Sequence, residues 1–315
     1  GEVPLFRSEV DRCCELLAAP EMLGFDLRPV LFPSATNTSA EEESQRQKEF
    51  ERPSVIQPGL FVVEYGLAQV FQAAGILPAV AAGHSLGEYV AAVVGGFLTL
   101  ESAVGIVAAR AKSTETLAED GAMLAVVGWS EQELADVGAG QRPGLWLAGV
   151  NSPAHAVISG ETAAVDALEA ELKGAGKQCT RLHVRKAFHS GLIAKAADTL
   201  KGLGMPAQSG DAPAAAVPVT SNYTGGWLNT MQMKDGVYWS NHMRNTVHWR
   251  QNAEKVLTQW RPTVVLEVGP GNALSTLTAK CVGSDQTAPI FVQATRHPKA
   301  TATHDVEALL GAFGR

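Results

Sequence analysis

Seven consecutive residues, Gly83-His84-Ser85-Leu86-Gly87-Glu88-Tyr89, constrain the fold of this chain more than any other feature. They follow Pro78-Ala79-Val80-Ala81-Ala82, a short apolar run suited to a buried strand, and they precede an Ala/Val/Gly-rich stretch from Tyr89 to Arg110 that holds no proline. Glycines flanking a serine permit the sharp strand-to-helix turn that lifts a hydroxyl above a sheet and aims the next backbone N–H, here that of Leu86, at an oxyanion. The pattern predicts a helix after the turn, a break at Gly95 and Gly96, and a second helix from Leu100. An acyl-enzyme on Ser85 is the chemistry such a turn serves. The same five-residue pattern also occurs as a plain turn before a core helix, so the case rests on what surrounds it.

Composition narrows the class. With 315 residues and 46% hydrophobic content, the chain has material for a large core in one large domain, or one large and one small. Its apolar runs are interrupted by His84, Glu88 and glycines well short of the ~20 residues a bilayer helix needs. The first residues carry Glu2, Arg7, Glu9 and Asp11 where a secretory signal would be apolar. Cys13, Cys14, Cys179 and Cys281 fit neither a disulfide framework nor a metal spacing, which points to a reducing cytoplasm, no membrane and no metal. A net charge of −7 argues against nucleic acid as the main partner.

Between Ala122 and Val184 the pattern alternates in a specific order. Strand-like runs at Ala122–Gly128, Leu145–Val150, His155–Ser159 and Cys179–Val184 enclose a Ser130-capped helix and an amphipathic helix from Gly160 to Ala175, with a turn at Asn151-Ser152-Pro153. This β-α-β-β-α-β order is that of a ferredoxin-like unit, expected as an inserted subdomain over residues 121–185. Its flanks, 1–120 and 186–315, would form one larger α/β domain. The expected elements there are a helix Gly59–Ala73, a strand Val217–Ser221, helices around Tyr238–Arg244 and Gln251–Trp260, strands Thr263–Val268 and Pro289–Gln293, a helix after Gly271 and a terminal helix. The charged segment Ser34–Arg52 reads as a surface loop or solvated helix, and Gly202–Pro218 as a loop.

A serine nucleophile needs a base, and of the eight histidines His189 stands where the inserted unit hands the chain back to the large domain, in Ala187-Phe188-His189-Ser190. A crossover between domains is where a cleft lies, although a histidine there can equally be a packed or surface residue. Several separate motifs then come in order: Gly83 to Tyr89, Arg110, Asn151 to Pro153, Ala187 to Ser190, Ser221 to Gly225 and Glu267 to Gly271. From about Phe6 to about Phe291 this succession resembles the malonyl-CoA:acyl-carrier-protein transacylase family, most of all the acyltransferase domains of polyketide synthases.

The resemblance implies a hydrolase-like α/β core with an inserted ferredoxin-like subdomain. It implies Ser85 as nucleophile and His189 as general base, with the histidine oriented by a backbone carbonyl near Asn241 or His242 in place of a triad acid. Arg110 would pair with the free carboxylate of a malonyl group, because a planar guanidinium offers two parallel N–H donors. Its apolar neighbours Val104, Ile106, Val107, Ala108, Ala109 and Ala111 make an unpaired guanidinium costly there. Leu86 and Phe188 match the malonyl-selective pattern, and Gln57, His84, Asn151 and His242 complete the expected substrate-contacting set. Asn222 is a weaker candidate of the same kind, and turn capping is an equal reading for Asn151 and Asn222. The tract Glu267–Gly271 can also simply end a strand and start a helix.

The expected reaction is ping-pong transfer from malonyl-CoA through a serine ester to the phosphopantetheine thiol of an acyl carrier protein, beside neighbouring synthase domains and with no permanently bound cofactor. The alternatives are an editing acyl hydrolase or other serine hydrolase, and a non-catalytic docking domain. The resemblance also implies a Gly-Gln-Gly turn carrying a second oxyanion donor, and none lies in these 315 residues; either that segment lies upstream of Gly1 or oxyanion stabilisation is incomplete, and loss of one such donor costs on the order of 10²–10³ in rate. Lys186 stands where malonyl-type domains usually carry histidine. Finally, alternation along a strand would set Arg181, His183 and Arg185 on one face, either solvated or attracting an anionic partner.

Overall fold

The first third of the chain is helical because its apolar residues recur at three- and four-residue spacing. The computed structural model describes residues 3–33, 39–203, 217–230, 235–297 and 304–314. Helix α1 (Pro4–Ala18) buries Val10, Cys13, Cys14 and Leu17, one stripe of its surface. Burial pushes the Cys13 and Cys14 thiols up to about 12 and about 11, so they act as packing groups. After the single turn α2 (Arg28–Leu31), α3 (Ala40–Phe50) starts from a capping box of Ser39 and Glu42, the solvated-helix reading of this charged segment.

Helix α4 (Pro53–Ala73) begins six residues earlier than the glycine expected to open it. Pro53 stands in the first turn, where a missing N–H costs nothing, and Glu115 accepts the Ser54 N–H at 3.0 Å, so Gln57 and Pro58 lie inside the helix. Helices α5 (Gly87–Val94) and α6 (Leu100–Leu117) flank the expected glycine break. Together α1, α4, α5 and α6 enclose the main core around Phe61, Tyr89, Ile106 and Trp239.

Next come β1 (Ala122–Val127), α7 (Glu131–Gly138), β2 (Leu145–Ser152), β3 (His155–Gly160), α8 (Thr162–Gly174) and β4 (Cys179–Arg181). The strands form one antiparallel sheet in the order β2-β3-β1-β4, with an apolar cluster of its own around Leu124, Ile158, Val165 and Leu168. Strand β4 is half the expected length. The Val184 N–H turns back to the Leu182 carbonyl, and Asp120 pairs with Lys186 as the chain crosses out of the sheet. Arg181, His183 and Arg185 therefore do not share a strand face.

The remainder comprises α9 (Ala194–Asp198), α10 (Gly236–Arg244), α11 (Trp249–Gln259), β5 (Val264–Glu267), α12 (Ala273–Ala279), β6 (Ile290–Gln293) and α13 (Asp305–Phe313), with β5 and β6 parallel. The strands expected at Pro78–Ala82 and Val217–Ser221 reduce to isolated bridges, Ala81 with Val219 in parallel and Thr220 with Trp227 antiparallel, beside Pro78 and Pro218, which have no N–H to give to a ladder. Of the loop expected at Gly202–Pro218, residues 204–216 lie outside the described residues. Among the described residues no helix is long and apolar enough to cross a membrane, and no cluster of His, Cys, Asp and Glu is arranged to hold a metal ion.

Glu64 of α4 sits under the turn after Ser85, its carboxylate within 3.5 Å of where side chains would grow from Gly87 and Gly269. Burial, and then the charge of Glu267, push this carboxyl from 4.5 up to about 8. A carboxyl raised on folding contributes stability below its unfolded value and loses it as pH rises toward the folded one. Replacing Glu64→Gln should therefore raise the thermal midpoint by several °C at pH about 8, where a shift of this size is worth on the order of 4 kcal/mol, and change it far less at pH about 5. Thermal unfolding of both proteins at the two pH values measures this.

Candidate active site

Ser85 sits at the bottom of a turn that only small residues allow. Its own backbone is left-handed, with φ of 49°, and a side chain at Gly83 would run into the backbone of Gly87 and Glu88. Ser85 Oγ lies 2.7 Å from His189 Nε2, and Arg110 Nη2 donates to the same oxygen at 3.3 Å. Three residues spread over more than 100 positions thus meet at one atom. The His189 ring is held from behind: its Nδ1–H donates to the Asn245 carbonyl at 2.9 Å, which leaves Nε2 to accept the serine proton. His189 is also left-handed, with φ of 58°.

The carbonyl is not the one expected at Asn241 or His242. The Asn241 carbonyl is already taken by the N–H and the side-chain amide of Asn245, as the end of α10 requires, so the free carbonyl is that of the cap residue Asn245. The next residues tie this cap to the antiparallel sheet: the Thr246 hydroxyl donates to the Leu147 carbonyl at 2.7 Å, and Val247 exchanges backbone hydrogen bonds with Ala148 and Val150 of β2. His242 lies one turn before, buried, with its ring edge-on to His189 at 6.5 Å between centroids.

Arg110 is 3% exposed, and its Nε and Nη1 donors have no hydrogen-bond partner among the described residues. Its guanidinium rests on the Tyr89 ring, 5.5 Å from the centroid. Burial first, then the Arg110 charge and the rings of His242 and His84, hold His189 well below the ordinary 6.5, while the Asn245 carbonyl opposes them. The ring is thus neutral, as a base must be before it takes a proton.

Among the other expected site residues, Leu86 is packed in the main core and Phe188 rests half-buried against it. Gln57 is buried with both amide atoms unpartnered among the described residues. His84 Nε2–H donates to Asn151 Oδ1 at 2.9 Å, and the Asn151 amide reaches His155 Nδ1 at 3.4 Å. Asn151 is no turn cap: β2 runs through it, with an irregularity between Val150 and Ser152 that turns its side chain toward His84. Asn222 donates to the Gly83 carbonyl at 2.5 Å and to Glu88, while its Oδ1 is without a partner among the described residues. Glu267 accepts the Leu274 and Ser275 N–H groups at the start of α12, a helix cap. Lys186 donates to the Ala118 carbonyl at 2.7 Å and pairs with Asp120 at 2.9 Å, so it fastens the crossover. Arg181 pairs with Asp166 at 2.9 Å, while the exposed Arg185 lies 3.9 Å from Asp120, so the two belong to different ion pairs. Asn245, Thr246 and the buried Glu88–Tyr238 contact were not anticipated; an asparagine directly after a helical run was the one signal for the first.

A family model described as acyl transferase domain matches residues 1–312. The chain belongs to the acyl transferase domain family. It is 32% identical over 278 residues to the polyketide synthase GfsA of Streptomyces halstedii, covering 88% of this chain and 4% of that protein. It is 36% identical over 222 residues to the erythronolide synthase EryA2 of Saccharopolyspora erythraea, covering 70% of this chain and 6% of that protein. The acyl transferase domain thus spans a small fraction of the curated relatives it matches. Among solved structures, the acyl transferase domain of SpnD in complex with 2-(pent-4-yn-1-yl)malonyl superposes with a TM-score of 0.80 at 32% identity, over 99% of this chain and 69% of that one. The MCAT of Streptococcus pneumoniae superposes with a TM-score of 0.73 at 25% identity, over 93% of this chain and 88% of that one. The α/β fold with its small antiparallel sheet is the fold of these domains.

The electrostatics yield a direct measurement. In a ¹⁵N titration followed by NMR, His189 should protonate below pH 6.5, and Arg110→Gln, which removes the nearest cation, should move that midpoint upward. A midpoint unmoved by the substitution would contradict the arrangement.

Proposed function

We propose that this acyl transferase domain carries a malonyl group from malonyl-CoA, through an ester on Ser85, to the phosphopantetheine thiol of an acyl carrier protein. The observation that carries the reading is Arg110: a buried guanidinium beside the serine hydroxyl with two donors open. Leaving a buried cation unpaired is costly, and an acyl group ending in a carboxylate supplies what it lacks. The substituted malonyl group in the SpnD domain carries the same carboxylate.

Each step uses groups in contact. His189 Nε2 takes the Ser85 proton as Oγ attacks the thioester carbonyl, the Leu86 N–H faces the oxyanion, and His189 returns the proton to the departing CoA thiolate. The carrier thiol repeats the sequence in reverse on the serine ester. Leu86 and the Phe188 ring beside the base leave little room at the α-carbon, which favours malonyl over methylmalonyl by about 1–3 kcal/mol. The polyketide synthase relatives support a carrier protein as acceptor and further synthase domains as neighbours. Residues 1–120 with 186–315 act as the catalytic unit, and 121–185 as the insertion that supports the base through Val247. A hydrolase triad is disfavoured, since the position behind His189 is filled by the Asn245 carbonyl.

Incubation with malonyl-CoA should add one malonyl mass to the protein, and Ser85→Ala should abolish it; label retained in that variant refutes the assignment. Arg110→Ala should lower the malonyl-to-acetyl ratio of kcat/KM by ~10–100-fold, the worth of one charge-assisted pair. An unchanged ratio would mean that the carboxylate is read elsewhere.

A further inference from the structure

Glu88 stands three residues after Ser85, in the first turn of α5, and its carboxylate is completely buried. One oxygen accepts the Asn222 backbone N–H at 2.6 Å and the Asn222 side-chain amide; the other accepts the Tyr238 hydroxyl. Tyr238 in turn is 2.7 Å from Ser221 Oγ, and burial together with the Glu88 charge pushes its phenol far up, so it remains a donor. Every hydrogen-bonding neighbour of Glu88 donates, which is the environment of an ionised, acceptor-only carboxylate.

The imidazole facing this carboxylate is His242 of α10, with Nε2 3.4 Å from Glu88 Oε2. Neither His242 nitrogen completes a hydrogen bond among the described residues. Its ring is edge-on to His189 on one side and to Tyr89 on another. His242 thus stands between a buried anion and the base. The charged and titratable groups around the two rings are Arg110 from α6, His84 from the elbow, Tyr89 and Glu88 from α5, and Tyr238 from α10.

When His189 holds the serine proton, the pocket contains two cations, His189 and Arg110, and the acyl carboxylate answers only the second. We propose that Glu88, acting across His242, is the counter-charge that supports the protonated form of His189, a positioning residue for the Ser85–His189 pair. The proton moves from Ser85 Oγ to His189 Nε2 and on to the leaving thiolate, while Glu88 neither gains nor loses one. The carboxylate that a triad would place against the base ring is here on the nucleophile's own helix, one ring removed. This rests on the roles given above to Ser85 and His189.

The test is the pH dependence of Ser85 acylation by p-nitrophenyl acetate, an ester that needs neither malonyl recognition nor a carrier. Glu88→Gln should displace the acidic limb to lower pH and reduce the plateau rate by ~10-fold, as a weaker base transfers the proton less well. Glu88→Asp, which keeps the charge, should return the limb toward its original place. An unmoved limb in Glu88→Gln, whatever the plateau, would leave Glu88 as a structural staple and overturn the proposal. Should Glu88→Gln not fold, Tyr238→Phe decides: freeing the carboxylate of one donor strengthens its field and should move the limb to higher pH, and an unmoved limb overturns the proposal. If the parent protein reacts at Ser85 with the ester yet takes no malonyl from malonyl-CoA, the substrate assignment fails separately.

Discussion

The site depends on two residues that are held, against their preference, in left-handed backbone conformations. Ser85 and His189 both have positive φ without being glycine, a strain of about 1–3 kcal/mol each that persists only where the surroundings over-determine the chain. At Ser85 the surroundings are the close approach of Gly83 to Gly87, the hydrogen bond from Asn222 to the Gly83 carbonyl, and the anchoring of Leu86 in the core. At His189 they are the Ser190 hydroxyl, which donates to the Ala187 carbonyl, and the ring's own bond to Asn245. The large core absorbs the strain, and in return two side chains from distant parts of the chain meet within 2.7 Å.

The second constraint is the short run Asn245-Thr246-Val247, which ends one helix, orients the His189 ring and pairs with β2 at once. Among the ties that join the insertion to the rest of the molecule are this run, the His84–Asn151 contact and the Lys186 crossover tie. Two of them end on the Ser85 turn or on the His189 ring. The position of the small sheet is therefore coupled directly to the Ser85–His189 contact.

What was legible in the sequence follows from how local each signal is. Gly83 to Gly87 encodes its turn within five residues, and the order of strands and helices from Ala122 onward encodes its own sheet, so both were readable without the fold. Arg110 was readable because a lone cation among alanines and valines needs a reason. The expected strand Pro78–Ala82 failed because apolar character does not reveal whether a partner ladder has donors, and prolines at 78 and 218 deny it them. The length of β4 and the fate of Arg181 were set by acidic residues on α8 and at Asp120, contacts that only the fold brings about. Asn245 was missed because a carbonyl has no side-chain signature; which one stays free depends on where α10 stops.

Leu86 belongs to two populations at once. It follows Ser85, and the proposed reaction gives its N–H to the oxyanion, while its side chain lies in the same apolar cluster as Phe61, Tyr89 and Trp239, against which Phe188 also rests. A residue in that position cannot be resized freely: trimming it opens a void in the main core, and enlarging it presses on a turn already strained at Ser85, each at a cost of ~1–3 kcal/mol. Substitutions that make room at Leu86 or Phe188 will thus tax folding first, and compensating substitutions belong deeper in the core, on α4 and α6.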